Sequence, residues 1–201
     1  PQECTPSAMK EYGPKDAEVR TKGGGHLLKS AIQLGVKRYI LQSAAFWYEK
    51  GEGLANEEIP FAFKATPGIA SGAKLLYENE TRLKKSPILA TILRYSFFYG
   101  PKTWFEKDAS MGRQAKEGKQ TLVPHGNGIW NFVHIEDAAK ATIDALNAKE
   151  GTYNINDSDP VEFSKWLQPF VKKSKPNLPS PFLKKRFSKI KVRIFYTTPP
   201  L

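Results

Sequence analysis

Three short apolar runs, separated by long helical stretches, constrain this fold more than any other feature. They read "KRYILQSAA" (37–45), "ILATILRYSFFYG" (88–100) and "GTYNIND" (151–157). Antiparallel neighbours need only a tight turn between them, whereas parallel strands need a crossover of a dozen or more residues, usually a helix. The chain between the runs supplies such crossovers. "PGIASGAKLLYENE" (67–80) opens a helix predicted over about 69 to 84, and "EDAAKATIDALNA" (136–148) is amphipathic with acids in its first turn, where the helix dipole favours them. A helix over "AEVRTKGGGHLLKSAIQLG" (17–35) ends at Gly35, another is predicted near 104 to 118, and "DPVEFSKWLQPFVKK" (159–173) reads as a last one. "QTLVP" (120–124) and "NFVHI" (131–135) are short strands around the turn "HGNG", residues 49 to 66 are a long loop, and residues 1 to 16 read as an N-terminal loop. The alternation predicts an α/β fold with a parallel sheet covered on both faces.

Charge locates the chain's basicity at one end. Of 31 Lys and Arg residues, ten lie in 163 to 201, which holds no Asp or Glu. The remaining 21 face 20 acidic residues, so the main body is close to neutral and nucleic acid is not an expected partner. The stretch "FLKKRFSKIKVRIFY" is either a solvated face or a patch for anionic groups such as phosphates or a lipid surface. No apolar run reaches the roughly 20 residues of a membrane span, and no basic-then-apolar leader opens the chain. With the single cysteine Cys4, this suits a reducing, cytoplasmic setting. The chain opens on Pro1 rather than methionine, which suggests a processed product or a fragment.

Four segments carry a resemblance: "GVKRYILQSAAFWY", "LRYSFFYGP", "GNGIWNFVHIEDAAKATIDAL" and "GTYNIND". In this order and spacing they resemble successive landmarks of the extended and atypical short-chain dehydrogenases, the NAD-dependent epimerase/dehydratase family, over residues 17 to 172. The resemblance implies a partial doubly wound, Rossmann-like parallel sheet with a small C-terminal substrate lobe. Residues 17–172 would be the NAD(P)-binding-like domain and 173–201 a basic extension. It also implies hydride exchange between NAD or NADP and a small hydroxyl or carbonyl substrate.

In that family a Ser or Thr at a strand end orients the substrate oxygen, a tyrosine passes the proton, and a lysine four residues on binds the ribose. The lysine ammonium favours phenolate and so lowers the tyrosine pKa. By resemblance Ser43 would fill the first role and Lys74 the third. Ala70 stands where the tyrosine belongs and has no proton to give. Tyr48, Tyr77 and Tyr99 are the possible substitutes, with Tyr77 about 300° round the helix from Lys74. Tyr48 and Tyr99 follow strands whose carboxyl ends edge a ligand cleft in such folds.

Each assignment has a plainer alternative. Ser43 is a substrate or cofactor contact, or a strand-end cap. Lys74 touches cofactor, or pairs with Glu78 on an exposed helix face. Tyr99, Gly100 and Pro101 line the nicotinamide end, or form a simple turn. Asp137 reads as a helix-start residue and His134 as a hydrogen-bonded core histidine. The other histidines and the cysteine give no metal-ligand or nucleophile spacing.

Two departures from the family matter. Ile129, Trp130 and Asn131 stand where nucleotide-sugar enzymes commonly place a diphosphate-gripping arginine, which speaks against a sugar-nucleotide substrate. The only upstream glycine cluster, "KGGGHLL" (22–28), lacks the G-x-x-G-x-x-G spacing and has no buried strand before it. The resemblance therefore places the first strands, and with them half of the cofactor site, outside this sequence; "VRIFYTTPPL" likewise resembles a family segment that continues. The expectation is part of an NAD(P)-dependent oxidoreductase or epimerase, the chain alone being inactive. The alternatives are a non-catalytic NAD(P)-sensing or scaffold protein, or a truncated remnant. Oligomeric state stays open.

Overall fold

The computed structural model describes residues 5–51, 53–106, 108–117, 128–158, 160–163 and 165. In chain order the elements are α1 (Pro6–Glu18), a π-helical turn (Val19–Gly23), α2 (Gly24–Gln33), β1 (Arg38–Ala44), α3 (Pro67–Lys84), β2 (Leu89–Tyr95), β3 (Phe97–Tyr99), α4 (Ser110–Lys116), β4 (Ile129–Trp130), β5 (Phe132–His134), α5 (Ile135–Asp144), β6 (Gly151–Ile155) and β7 (Val161–Glu162).

Strands β1, β2 and β6 form a parallel sheet in that order. Because side chains alternate across a strand, each run divides between two cores. Tyr39 and Leu41 of β1 with Ala90 and Ile92 of β2 meet Leu28 of α2 and Leu83 of α3. Ile40, Leu93, Tyr95 and Ile155 join Ala138 and Ala145 of the α5 side. Helices thus cover both faces, the Rossmann-like arrangement. Two smaller ladders extend it: β3 with β5, parallel, and β4 with β7, antiparallel. They enclose an aromatic lobe core of Tyr99, Phe105, Met111, Ala115, Phe132 and Phe163.

The structure corrects several expectations. Residues 6 to 16 belong to helix α1 rather than a loop; Thr5 caps it by accepting the Ala8 N–H at 3.2 Å, with Pro6 in the first turn. The 88–100 run breaks at Ser96 and serves two sheets. Helix α4 starts at Ser110, because residues 101 to 106 and 108 to 109 turn instead. Val161–Glu162, expected in a helix, pair with Ile129–Trp130 as a strand. The strand at 120–124 and the basic extension at 173–201 lie outside the described residues. Among the described residues, no helix is long and apolar enough to cross a membrane.

Candidate active site at the carboxyl rim

The ladders end in register. Ala44 of β1, Tyr95 of β2 and Ile155 of β6 lie side by side, so residues just beyond them gather on one rim. At such rims parallel α/β sheets bind ligands. Below the rim lies a buried polar hub. Arg94 of β2 donates from Nε to Glu80 Oε1 at 2.8 Å and from Nη2 to Oε2 at 2.7 Å. Its Nη1 donates to the Tyr48 hydroxyl and to the Glu57 carbonyl, both at 3.0 Å, and the guanidinium lies over the Phe61 ring, 4.5 Å from its centroid. Ser43 donates its hydroxyl proton to Glu80 Oε1 at 2.6 Å. The hub ties α3, both strand ends and the 45–62 loop together.

Tyr48 belongs to this hub. It is fully buried, donates to Asn154 Oδ1 and has its hydroxyl pushed up to about 12, chiefly by burial. Tyr77 is half exposed and packs edge-on against Phe63. Ala70 sits half-buried in the second turn of α3. Lys74, four residues on, extends into solvent with its side chain 73% exposed and a loose 3.9 Å pairing to Glu78. The i,i+4 pairing is therefore present, and its looseness leaves the ammonium available to a ligand.

The rim's titratable groups centre on Tyr99, at the end of β3. Its hydroxyl faces the carboxyl of Asp157, two residues past β6, closely enough for each group to shift the other's titration. Burial, then the Asp157 carboxylate, pushes Tyr99 well above its ordinary value. Asp157 is itself pushed up from 3.8 to about 6: burial dominates, the Tyr99 hydroxyl opposes it, and Asp137 adds to it. The Asp157 N–H anchors on the Phe132 carbonyl at 2.7 Å. Gly100 follows at φ 110°, and a Cβ there would lie 2.7 Å from His134 Nε2. The glycine is thus required by the imidazole packed on it. His134 caps α5, its Nδ1 accepting the Glu136 N–H at 3.4 Å, and Asp137 lies buried in the first turn of α5, 3.6 Å from Lys140.

Aromatic rings form the other half of the rim. Phe46 stacks on Phe97 at 4.5 Å, Phe97 on Trp130 at 4.4 Å, and Trp130 on Phe163 at 4.2 Å. Trp47 lies against α3 at Gly72, where a Cβ would come within 2.3 Å of the indole.

The model of the NAD dependent epimerase/dehydratase family matches residues 4–156, three quarters of the chain. The chain belongs to this family. A curated member from Streptomyces sp, a 3-diazoavenalumate denitrifying reductase, is 30% identical over 159 residues, which are 78% of this chain and 52% of that protein. The chain therefore spans about half the length of the curated relative it matches. The UDP-glucose 4-epimerase of Thermotoga maritima, solved with UDP-glucose, shares the fold at a TM-score of 0.65 and 19% identity, covering 96% of this chain and 65% of that one. The Thermus thermophilus UDP-glucose 4-epimerase, solved with NAD, gives 0.57 and 23%, covering 77% and 54%.

For a member of the epimerase/dehydratase family, the glycine cluster has another use. Gly23 to Gly25 lie inside the helical run. A Cβ on Gly25 would meet Arg82 Nη1 at 2.7 Å, and that nitrogen donates to the Thr21 carbonyl, at 2.6 Å, within the π-helical turn. Gly25 thus makes room for a side chain of this protein. Among the described residues, no glycine-rich turn joins a strand directly to a helix start.

Sequence reading missed Asp157, Glu80 and Arg94. The last two left a signal. Ala73, Leu76, Glu80 and Leu83 form one buried stripe of α3, so a glutamate stands where an apolar residue belongs, while arginine interrupts the apolar run of β2. Two charges in buried positions imply each other. Asp157 left no comparable mark.

Proposed function

We propose that the chain forms the substrate-facing part of an NAD-dependent oxidoreductase that interconverts a hydroxyl and a carbonyl on a small molecule. The observation that carries this reading is the Tyr99–Asp157 pair at the carboxyl rim of a family sheet. The reductase name of the Streptomyces relative and the NAD bound to the Thermus enzyme support it.

A bound nicotinamide supplies or accepts the hydride; NAD is favoured over NADP by the ligands of the solved relatives. Lys74 would hold the nicotinamide ribose, and Tyr99, Gly100 and Pro101 would line the nicotinamide end. The proton is handled without residue 70. With Asp157 protonated, its proton passes to the Tyr99 oxygen while the Tyr99 proton passes to the substrate oxygen. In the reverse direction the ionised Asp157 receives it. Tyr99 stays neutral throughout, consistent with its raised pKa. Ser43 acts as a positioning residue, since its hydroxyl proton goes to Glu80 and ties the β1 end to the helix bearing Lys74.

One observation favours a second reading, a non-catalytic NAD(P)-sensing or scaffold protein. Ala70 removes the usual acid, and neither Tyr48 nor Tyr99 is placed to ionise near neutrality. Stopped-flow oxidation of NADH and NADPH by the full-length protein with a panel of aldehydes and ketones separates the two. The enzyme reading expects turnover, a kcat limb near pH 6, and a loss on Asp157→Asn of roughly 10²-fold or more, the usual general-acid range. Cofactor binding without turnover would establish the sensor.

A further inference from the structure

We propose that the rim of this site binds a planar aromatic substrate, its ring lying against the column of Phe46, Phe97 and Trp130. This rests on the oxidoreductase reading above and names the substrate class for that site.

Four separate segments contribute one ring each: the turn after β1, the start of β3, the β4 strand and the residue after β7. Their planes stay within 12°, 19° and 29° of one another along the column. Phe46, Phe97 and Trp130 are each only partly buried, so aromatic surface reaches the rim where the reacting group must sit. Phe97 and Trp130 are each stacked between two neighbours of the column, so a conjugated ring meets their exposed edges edge-to-face or stacks on Phe46 at the column's end, both preferred arrangements of π-systems.

The sequence neighbours of the column rings favour a ligand without a strongly anionic headgroup. The residues flanking the rings in sequence, Ala45, Trp47, Ser96, Phe98, Ile129, Asn131 and Glu162, include no cation. A diphosphate calls for Arg or Lys. Polar capacity is present in neutral form. Ser96 Oγ and both polar atoms of the Asn131 side chain are buried with no hydrogen-bond partner among the described residues. These residues adjoin Phe97 and Trp130, and the Phe97 N–H donates to the Asn131 carbonyl at 3.2 Å. Buried polar groups are rarely left unpaired. A hydroxyl and an amide at the foot of an aromatic column suit a neutral phenol or carbonyl substituent once the ligand settles.

The test is calorimetric titration of the full-length protein with 4-hydroxycinnamaldehyde and, in parallel, with UDP-glucose, each with and without NAD. Saturable binding of the aldehyde, none of UDP-glucose, and weakening by roughly two- to tenfold on Phe46→Leu is the expected result. Phe46→Leu keeps an apolar side chain, and an unchanged thermal midpoint certifies the fold. Phe97→Leu is the second variant, with the same expectation. Binding of UDP-glucose instead of the aldehyde overturns the inference, as does aldehyde binding indifferent to both substitutions. Aldehyde binding without NAD binding would leave this site standing and remove the oxidoreductase reading. NAD binding without aldehyde binding would do the reverse.

Discussion

Glu80 and Arg94 meet through two parallel hydrogen bonds of 2.8 and 2.7 Å, with side chains 2% and 5% exposed. Removing one partner of a buried pair strands the other charge. Glu80→Gln and Arg94→Met should each lower unfolding free energy by about 3–5 kcal/mol. The double variant Glu80→Gln/Arg94→Met should lose clearly less than the two single losses added. Urea denaturation across the double-mutant cycle measures this, and full additivity would show that the pair is not coupled.

Asp157 makes stability depend on pH with an unusual sign. Its pKa is raised on folding, from 3.8 to about 6, so between those values the native state holds more protons than the unfolded chain. Stability must therefore fall as pH rises from about 4 to about 6. After allowance for solvent screening the drop is roughly 1–2 kcal/mol. Asp157→Asn should remove this contribution, so the wild-type-minus-variant stability difference should fall across this window, read from denaturation curves at each pH. Tyr99→Phe removes the hydroxyl that holds the Asp157 pKa down, so a carboxyl NMR titration should move upward in that variant.

Gly100 combines a left-handed backbone with an occupied Cβ position. Gly100→Ala should cost about 1–3 kcal/mol in backbone strain, plus the clash with His134. Adding His134→Ala should recover the steric part alone, leaving the strain. Thermal midpoints of the wild type and the two variants separate the contributions. Equal midpoints for Gly100→Ala and wild type would contradict the described turn.

In helix α3, alanine is normally preferred to glycine by about 1 kcal/mol. Gly72→Ala should nevertheless destabilise, because its Cβ meets the Trp47 indole at 2.3 Å. Trp47→Leu in the same chain should turn the substitution stabilising. Reversal of the sign between the two backgrounds is the readout, and a stabilising Gly72→Ala on its own would refute the packing.

The strands of the sheet were legible because each is a short apolar run with helical chain between; β1, β2 and β6 fall within the runs read from the sequence. Helix α1 was hidden by Gly13 and Pro14, whose glycine and missing N–H speak for a loop, although Thr5 and Pro6 carried a helix start. The break at Ser96 was not legible, since the 88–100 run is continuous in polarity and only tertiary pairing splits it. Within the site, Lys74 and Ala70 were placed by their spacing on one helix. Tyr99 and Asp157 are distant in sequence and meet only because two ladders end at the same level.

The ladder also governs how the chain reaches its native state. Arg38 pairs with Leu89, and Thr91 with Gly151, so neither pairing in the main sheet can form between neighbours in sequence. Each requires closure of a long loop before any strand contact repays it, the topology associated with slow folding. Refolding should be rate-limited by docking of the crossover segments rather than by helix formation. Until β2 is seated between β1 and β6, the rim has no floor, so ligand-binding competence should return in the slowest phase.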